Sequence, residues 1–165
     1  MWRTLGQEET IERLSHSLAE GTTHHAYLFL GPEHAGKTTL ALDFARALNC
    51  EGASPPCSSC RACTRIAEGK HADVISVTID EGVSADEADS DEEMRTRRTR
   101  VLTKQIEDLQ HAASLPPYEG RWKVLLIEHA DRMTGEAANR ILKTLEEPPP
   151  RVVWMLLAES EGSML

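Results

Sequence analysis

Apolar positions recur along this chain with two different periods, and the alternation between them predicts the fold. Residues 7–20 place Ile11, Leu14 and Leu18 at spacings of three and four, an amphipathic helix that Gly21 can stop. Ala26 to Leu30 is a short run of strand formers that ends directly at a glycine loop. Helical spacing returns from Thr39 to Leu48, with Leu40, Phe44 and Leu48 on one face and Ala41 and Ala45 beside it. Asp73 to Ile79 reads as a second strand. A helix around Thr103 to Ala113 turns Ile106, Leu109 and Ala113 inward, and Pro116-Pro117 and Gly120 break it. Val124 to Ile127 is a third strand, apolar enough to be buried on both faces. Thr134 can cap a further helix whose stripe is Ala138, Ile141, Leu142 and Leu145, and Pro148-Pro149-Pro150 stops it. Val152 to Leu157 is a fourth strand. Strands alternating with helices predict an α/β fold with a parallel sheet flanked by helices.

Between Asp80 and Arg100 the pattern fails. Eight of the 27 acidic residues fall between Asp80 and Glu93, and Arg95, Arg97, Arg98 and Arg100 follow with almost nothing apolar. This stretch, 80–100, reads as a solvated, disordered insertion; an electrostatic partner site is the functional alternative. The acidic part, Asp80 to Glu93, holds no Lys or Arg and the rest of the chain has a net charge of only -1, so the acidity is local and does not exclude a role near DNA. Aromatics make up only 4%, so the core rests on Leu, Ile, Val and Ala. At 165 residues the chain suits one domain, 1–165. The opening MWRTLGQEETIERL has no apolar signal region, and the longest apolar run, Val152 to Ala158, is too short to span a bilayer. A cytoplasmic location with no membrane partner is expected.

Three groups of residues carry chemistry. Gly31-Pro32-Glu33-His34-Ala35-Gly36-Lys37-Thr38 satisfies G-x-x-x-x-G-K-[ST] between a strand and a helix, the context that pattern requires. Gly31 and Gly36 let the backbone curl so that amides point at phosphate oxygens. Lys37 brings a cation to the β and γ phosphates. Thr38 can hold Mg²⁺, and Thr39 continues into the helix whose positive end faces the anion. ATP or ADP with Mg²⁺ is the expected ligand.

The second group lies at the end of the third strand. Glu128 stands where a metal-linked acid belongs, and His129 where a water-activating Glu would be. Neutral imidazole can accept a proton but brings no negative charge, so weak or absent hydrolysis is expected. Asp131 compensates only if the turn directs it inward.

The third group is Cys50, Cys57, Cys60 and Cys63, all of the cysteines in the chain. Four soft donors with x2 spacings suit a structural, tetrahedral Zn²⁺ site in a 50–63 module, and leave no open position for catalysis. An Fe–S cluster or reduced free thiols are the alternatives, and His71 is a competing ligand. His24 and His25, just before the first strand, read as structural. A nucleic-acid-binding zinc ribbon is disfavoured, because Arg61 is the one basic residue between Cys50 and Cys63.

The combination resembles the clamp-loader subunits of bacterial DNA polymerase III, of the AAA+ class. Gly6-Gln7-Glu8, HAYLFLGPEHAGKTTLALDFARALNC, PYEGRWKVLLIEHADRMT and AANRILKTLEEPPPRVVWMLLA carry the resemblance, over most of residues 5–72 and 101–158. Tyr118 to Thr134 is more similar to the δ′ branch than to γ/τ, whose members keep an Asp-Glu pair where this chain has Glu128-His129. The resemblance implies a δ′-like stator that helps load the sliding clamp onto primed DNA. Its partners would be sister loader subunits, the clamp and primer–template DNA. A γ/τ-like ATP-hydrolysing motor is the alternative. It also implies a γ-phosphate sensor at Ser160, or else Glu159. A finger motif, a lid and a collar would follow, so the chain is expected to be an N-terminal piece, truncated before the last strand with an exposed sheet edge.

Overall fold

In the computed structural model, residues 1–79, 101 and 103–160 are described, so the charged stretch 80–100 lies outside the described residues. Strands β1 (Ala26–Leu30), β2 (Val74–Val77), β3 (Lys123–Ile127) and β4 (Val152–Ala158) pair in parallel in the order β1-β4-β3-β2. Every residue of β3 and β4 is buried. A strand covered on both faces has no solvent side, which is why Val124–Ile127 and Val152–Ala158 are apolar without a break. Successive side chains nevertheless serve opposite faces. Leu125, Ile127, Trp154 and Leu156 join one core cluster, while Val124, Leu126, Val153, Met155 and Leu157 join the other.

Among the described residues, five helices cover these faces: α1 (Glu8–Ala19), α2 (Lys37–Asn49), α3 (Arg61–Ala67), α4 (Thr103–Ser114) and α5 (Gly135–Glu146). Leu14 of α1, Leu40, Phe44 and Leu48 of α2, and Ile66 of α3 belong to the second cluster. Ile106, Leu109 and Ala113 of α4 pack into the first with Ala137 and Ile141 of α5. Thr134 caps α5 as expected, its hydroxyl accepting from the Ala137 amide at 3.3 Å. The stripe of α5 is a correction. Ala137 and Ile141 are its buried centre, Ala138 and Leu145 pack at the margin, and Leu142 is 55% exposed. Residues 137, 141 and 145 repeat every four positions, whereas residue 142 lies roughly 100° round the helix from 141. Helix α3 was not expected from periodicity, since seven residues hold too little repeat to register. It forms because the Cys60 sulfur caps it by accepting from the Cys63 amide and because Ile66 enters the core.

Buried polar groups join segments distant in sequence. The Asp73 carboxylate, 1% exposed, accepts from the amides of Tyr118, Glu119 and Gly120 at 2.7 Å each and so shapes the turn into β3. Asn49 accepts from the Trp122 amide at 2.9 Å, and a Cβ at Gly120 would lie 2.5 Å from the Asn49 Oδ1, so only glycine fits there. The outer strand β1 leaves Leu28 and Leu30 about half exposed, at 43% and 47%. Among the described residues no helix is long and apolar enough to cross a membrane.

Candidate functional site

Parallel strands deliver their following loops to one edge of the sheet, and that edge is where ligands of open α/β sheets bind. Leu30 of β1 pairs with Ala158 of β4, and Ile127 of β3 with Leu156, so three strand ends converge. Between them is a cleft of about 570 Å³, walled by residues 33–39, by Glu128, His129 and Asp131, and by residues 157–159.

The loop after β1 turns on Gly36, whose φ of +82° belongs to the left-handed region that glycine enters freely. Gly36 is the N-cap of α2, yet no side chain caps this helix and no acid lies in its first turn. The open amides and positive helix end are therefore left to the cleft. The Lys37 ammonium folds back on its own loop, donating to the carbonyls of Gly31 at 2.5 Å and Pro32 at 2.6 Å. Thr38 Oγ1 donates to Glu128 Oε2 at 3.1 Å, joining residues 90 apart in the chain. Thr39, Glu33, His34 and Ala35 complete the wall, while Pro32 is exposed and contributes only its carbonyl.

His129 adopts a left-handed conformation, φ 54° and ψ 45°, and starts a 3-10 turn over Ala130–Arg132. That reversal carries Asp131 to the cleft wall, where its Oδ1 is buried without a hydrogen-bond partner among the described residues. Its Oδ2 is 3.5 Å from the Glu159 amide. Glu159 lines the cleft; Ser160, one residue further on, is exposed and outside the wall. Nothing in the spacing of Glu128-His129-Ala130-Asp131 shows this placement, because it depends on the backbone sign at His129.

At the opposite end of α2, the four cysteine sulfurs lie within 4.8 Å of one another. Tetrahedral zinc, with Zn–S near 2.3 Å, sets its sulfurs roughly 3.8 Å apart, so this donor set fits one ion with small adjustment. Amides already point at the sulfurs. Gly52 and Cys57 donate to Cys50 at 3.3 Å each, Cys60 to Cys57 at 3.2 Å, and Cys63 to Cys60 at 3.4 Å. Bonds from the Ser59 and Cys60 amides hold the Cys57 thiol down at about 5, whereas burial pushes Cys63 up to about 12. Four thiolates this close would repel one another, and a bound divalent cation would offset that repulsion. His71 stands apart from the cluster. It is buried, its Nδ1 accepts from the Asp73 amide at 3.1 Å, and burial holds its pKa below the ordinary histidine value. His24 stacks edge-on with Tyr27, and the His25 carbonyl accepts from the Trp154 amide at 2.8 Å, both structural roles.

A parallel sheet whose first strand runs into a phosphate loop, and whose third ends in a carboxylate bonded to that loop's threonine, defines a P-loop α/β domain of AAA+ type. The pattern of the family described as "DNA polymerase III, delta subunit" matches residues 6–165, and the chain belongs to that family. It is 36% identical over 154 residues to DNA polymerase III subunit tau of Escherichia coli, covering 92% of this chain and 21% of that protein. It is 35% identical over 167 residues to DNA polymerase III subunit delta' of Bacillus subtilis, covering 99% of this chain and 46% of that one. The chain thus spans less than half the length of these relatives. The crystal structure of a DNA polymerase III gamma subunit-related protein from Thermotoga maritima shares the fold, with a TM-score of 0.60 and 21% identity over 96% of this chain and 41% of that one.

Proposed function

We propose that this chain is the nucleotide-binding domain of a δ′-like clamp-loader subunit of DNA polymerase III. In this reading it acts in the cytoplasm with sister subunits to load the sliding clamp onto primer–template DNA. The observation that carries it is the Thr38–Glu128 hydrogen bond, which brings a hydroxyl and a carboxylate together beside Lys37 and the open end of α2. Thr38 and Glu128 would hold Mg²⁺, which supplies charge neutralisation for the phosphates of ATP or ADP. Residues 31–39 would cradle those phosphates, with Ser160 or Glu159 near the last of them. His129 on the wall, in place of a second acid, supports binding with little turnover. The four cysteines would hold a structural Zn²⁺ that contributes folding energy to the module around α3.

The test is calorimetric titration of the protein with Mg-ATP and Mg-ADP, with Lys37→Ala as control. Heat from wild type that the variant loses is the expected result; no heat from either would make the loop vestigial. A γ/τ-like motor is the second reading, favoured by one observation, the arrival of Asp131 at the cleft wall. Brisk hydrolysis by the isolated protein, lost in His129→Ala, would overturn the stator reading.

A further inference from the structure

The cleft is unevenly charged. Among the described residues of its wall, Lys37 is the one permanent cation, set against the carboxylates of Glu33, Glu128, Asp131 and Glu159. A triphosphate entering there brings further negative charge, and Lys37 lies toward the loop rather than the mouth, bonded to the carbonyls of Gly31 and Pro32. At the mouth stands Arg132. One of its terminal nitrogens is 3.2 Å from Glu33 of the loop and 3.3 Å from Glu159 at the end of β4. Its backbone is fixed on both sides: its amide donates to the His129 carbonyl at 2.8 Å, and its carbonyl accepts from the Val101 amide at 3.0 Å. Its side chain is not fixed in the same way, being 40% exposed beside partners that are 52% and 39% exposed. Exposed pairs of this kind hold weakly and exchange readily.

We infer that Arg132 is a specificity-determining residue for the terminal phosphate of a nucleoside triphosphate. Glu33 and Glu159 hold it across the mouth until that phosphate replaces them as its counter-ion. This rests on the nucleotide-binding reading above. The loop amides and Lys37 reach the β and γ phosphates from the loop side, which leaves the outer face of the terminal phosphate to the space between Glu33, Asp131 and Glu159. A guanidinium there suits the role, because its planar fork matches phosphate oxygens and it is always charged. Its anchor on a rigid 3-10 turn lets the side chain swing while the Cα stays in place.

The experiment is titration of the full chain with Mg-ATP and Mg-ADP, comparing wild type, Arg132→Ala, Arg132→Lys and the double variant Glu33→Gln/Glu159→Gln. Arg132→Ala is expected to weaken ATP by about tenfold or more and ADP by less than about threefold, the loss of one charge-assisted phosphate contact. Arg132→Lys should recover part of the ATP affinity. The double variant, which frees the guanidinium, should tighten ATP relative to ADP. Equal losses for both nucleotides in Arg132→Ala would make the residue merely structural and overturn the inference, as would no change in either. If wild type binds, Lys37→Ala does not and Arg132→Ala is silent, only this inference fails. If wild type binds neither nucleotide, the nucleotide reading fails and takes this inference with it.

Discussion

The two ends of helix α2 present contrasting answers to the same problem of unsatisfied polar groups. At its N-terminus, among the described residues, the amides have no side-chain cap, Lys37 rests on carbonyls of its own loop, and Asp131 across the cleft keeps one oxygen without a partner. At its C-terminus, Cys50 is the cap residue, and every cysteine sulfur beyond it is engaged. Cys50, Cys57 and Cys60 accept from amides, and Cys63 meets the Arg46 carbonyl at 3.8 Å. A site that must exchange its ligand leaves donors open and accepts the cost in stability. One that keeps its ligand engages each of its ligating atoms. In the proposed reading, the difference separates a ligand-exchanging cleft from a structural metal module, although both begin as short spacings of a few residues.

The comparison is broken most severely at the four thiols, where the proposed reading puts a metal. Cys60→Ser, or chelation, should lower the unfolding midpoint by about 10 °C or more, whereas Lys37→Ala at the other end of the same helix should leave it nearly unchanged. Thermal unfolding with metal content measured in parallel decides this. An unchanged midpoint in metal-free protein would mean that packing alone holds the thiols. Next in size is Asp73, the carboxylate that shapes the turn into β3. Asp73→Ala leaves three amides without their acceptor and should cost about 3 kcal/mol in urea unfolding.

Asp73 also makes a pH prediction. Burial opposes its charge, but the three amides and Lys123 outweigh that and hold its carboxyl below the ordinary carboxylate range. A folded-state pKa below the unfolded one means that the unfolded chain binds the proton first. Stability from Asp73 is therefore complete above the ordinary carboxylate pKa, near 3.9, and is lost as pH falls through the lower folded value. The difference in stability between wild type and Asp73→Asn should shrink as pH falls through that window. A difference constant from neutral pH down through it would refute the assignment.

At the open end, saturating Mg-nucleotide at about 100 times its dissociation constant should add about 2.7 kcal/mol, raising the midpoint by roughly 7 °C in wild type and not in Lys37→Ala. The smallest effect concerns the clasp between the module and the start of the chain. Ser58 receives a bond from the buried Arg46, which pairs with Asp43 at 2.7 Å, and Asp43 also accepts from the Thr4 amide at 2.9 Å. Ser58→Ala should cost about 0.5–1 kcal/mol and speed hydrogen exchange at residues 1–5. Unaltered exchange there would show that the module and the N-terminal segment are held independently.

Periodicity and spacing carried a good deal. The four strands, the helix after the loop, the Thr134 cap and the clustering of the thiols all follow from interactions between near neighbours in sequence, which a one-dimensional pattern records. Leu142 shows the limit of that record, because which arc of a helix is buried depends on what packs against it. His71 shows it again, a candidate ligand by proximity that the fold turns toward Asp73.

What the amino-acid order determined by itself was the set of elements and the residue types able to hold phosphate and metal. Only the tertiary structure decided the strand order β1-β4-β3-β2, which places β1, β3 and β4 side by side. That order sets Thr38 against Glu128 and closes Arg132 between Glu33 and Glu159. The physical reason is that local conformation answers to adjacent residues, whereas a cleft answers to the packing of both faces of a sheet. Glu128 and Thr38 meet because two buried strands share one core, and no spacing along the chain encodes that meeting.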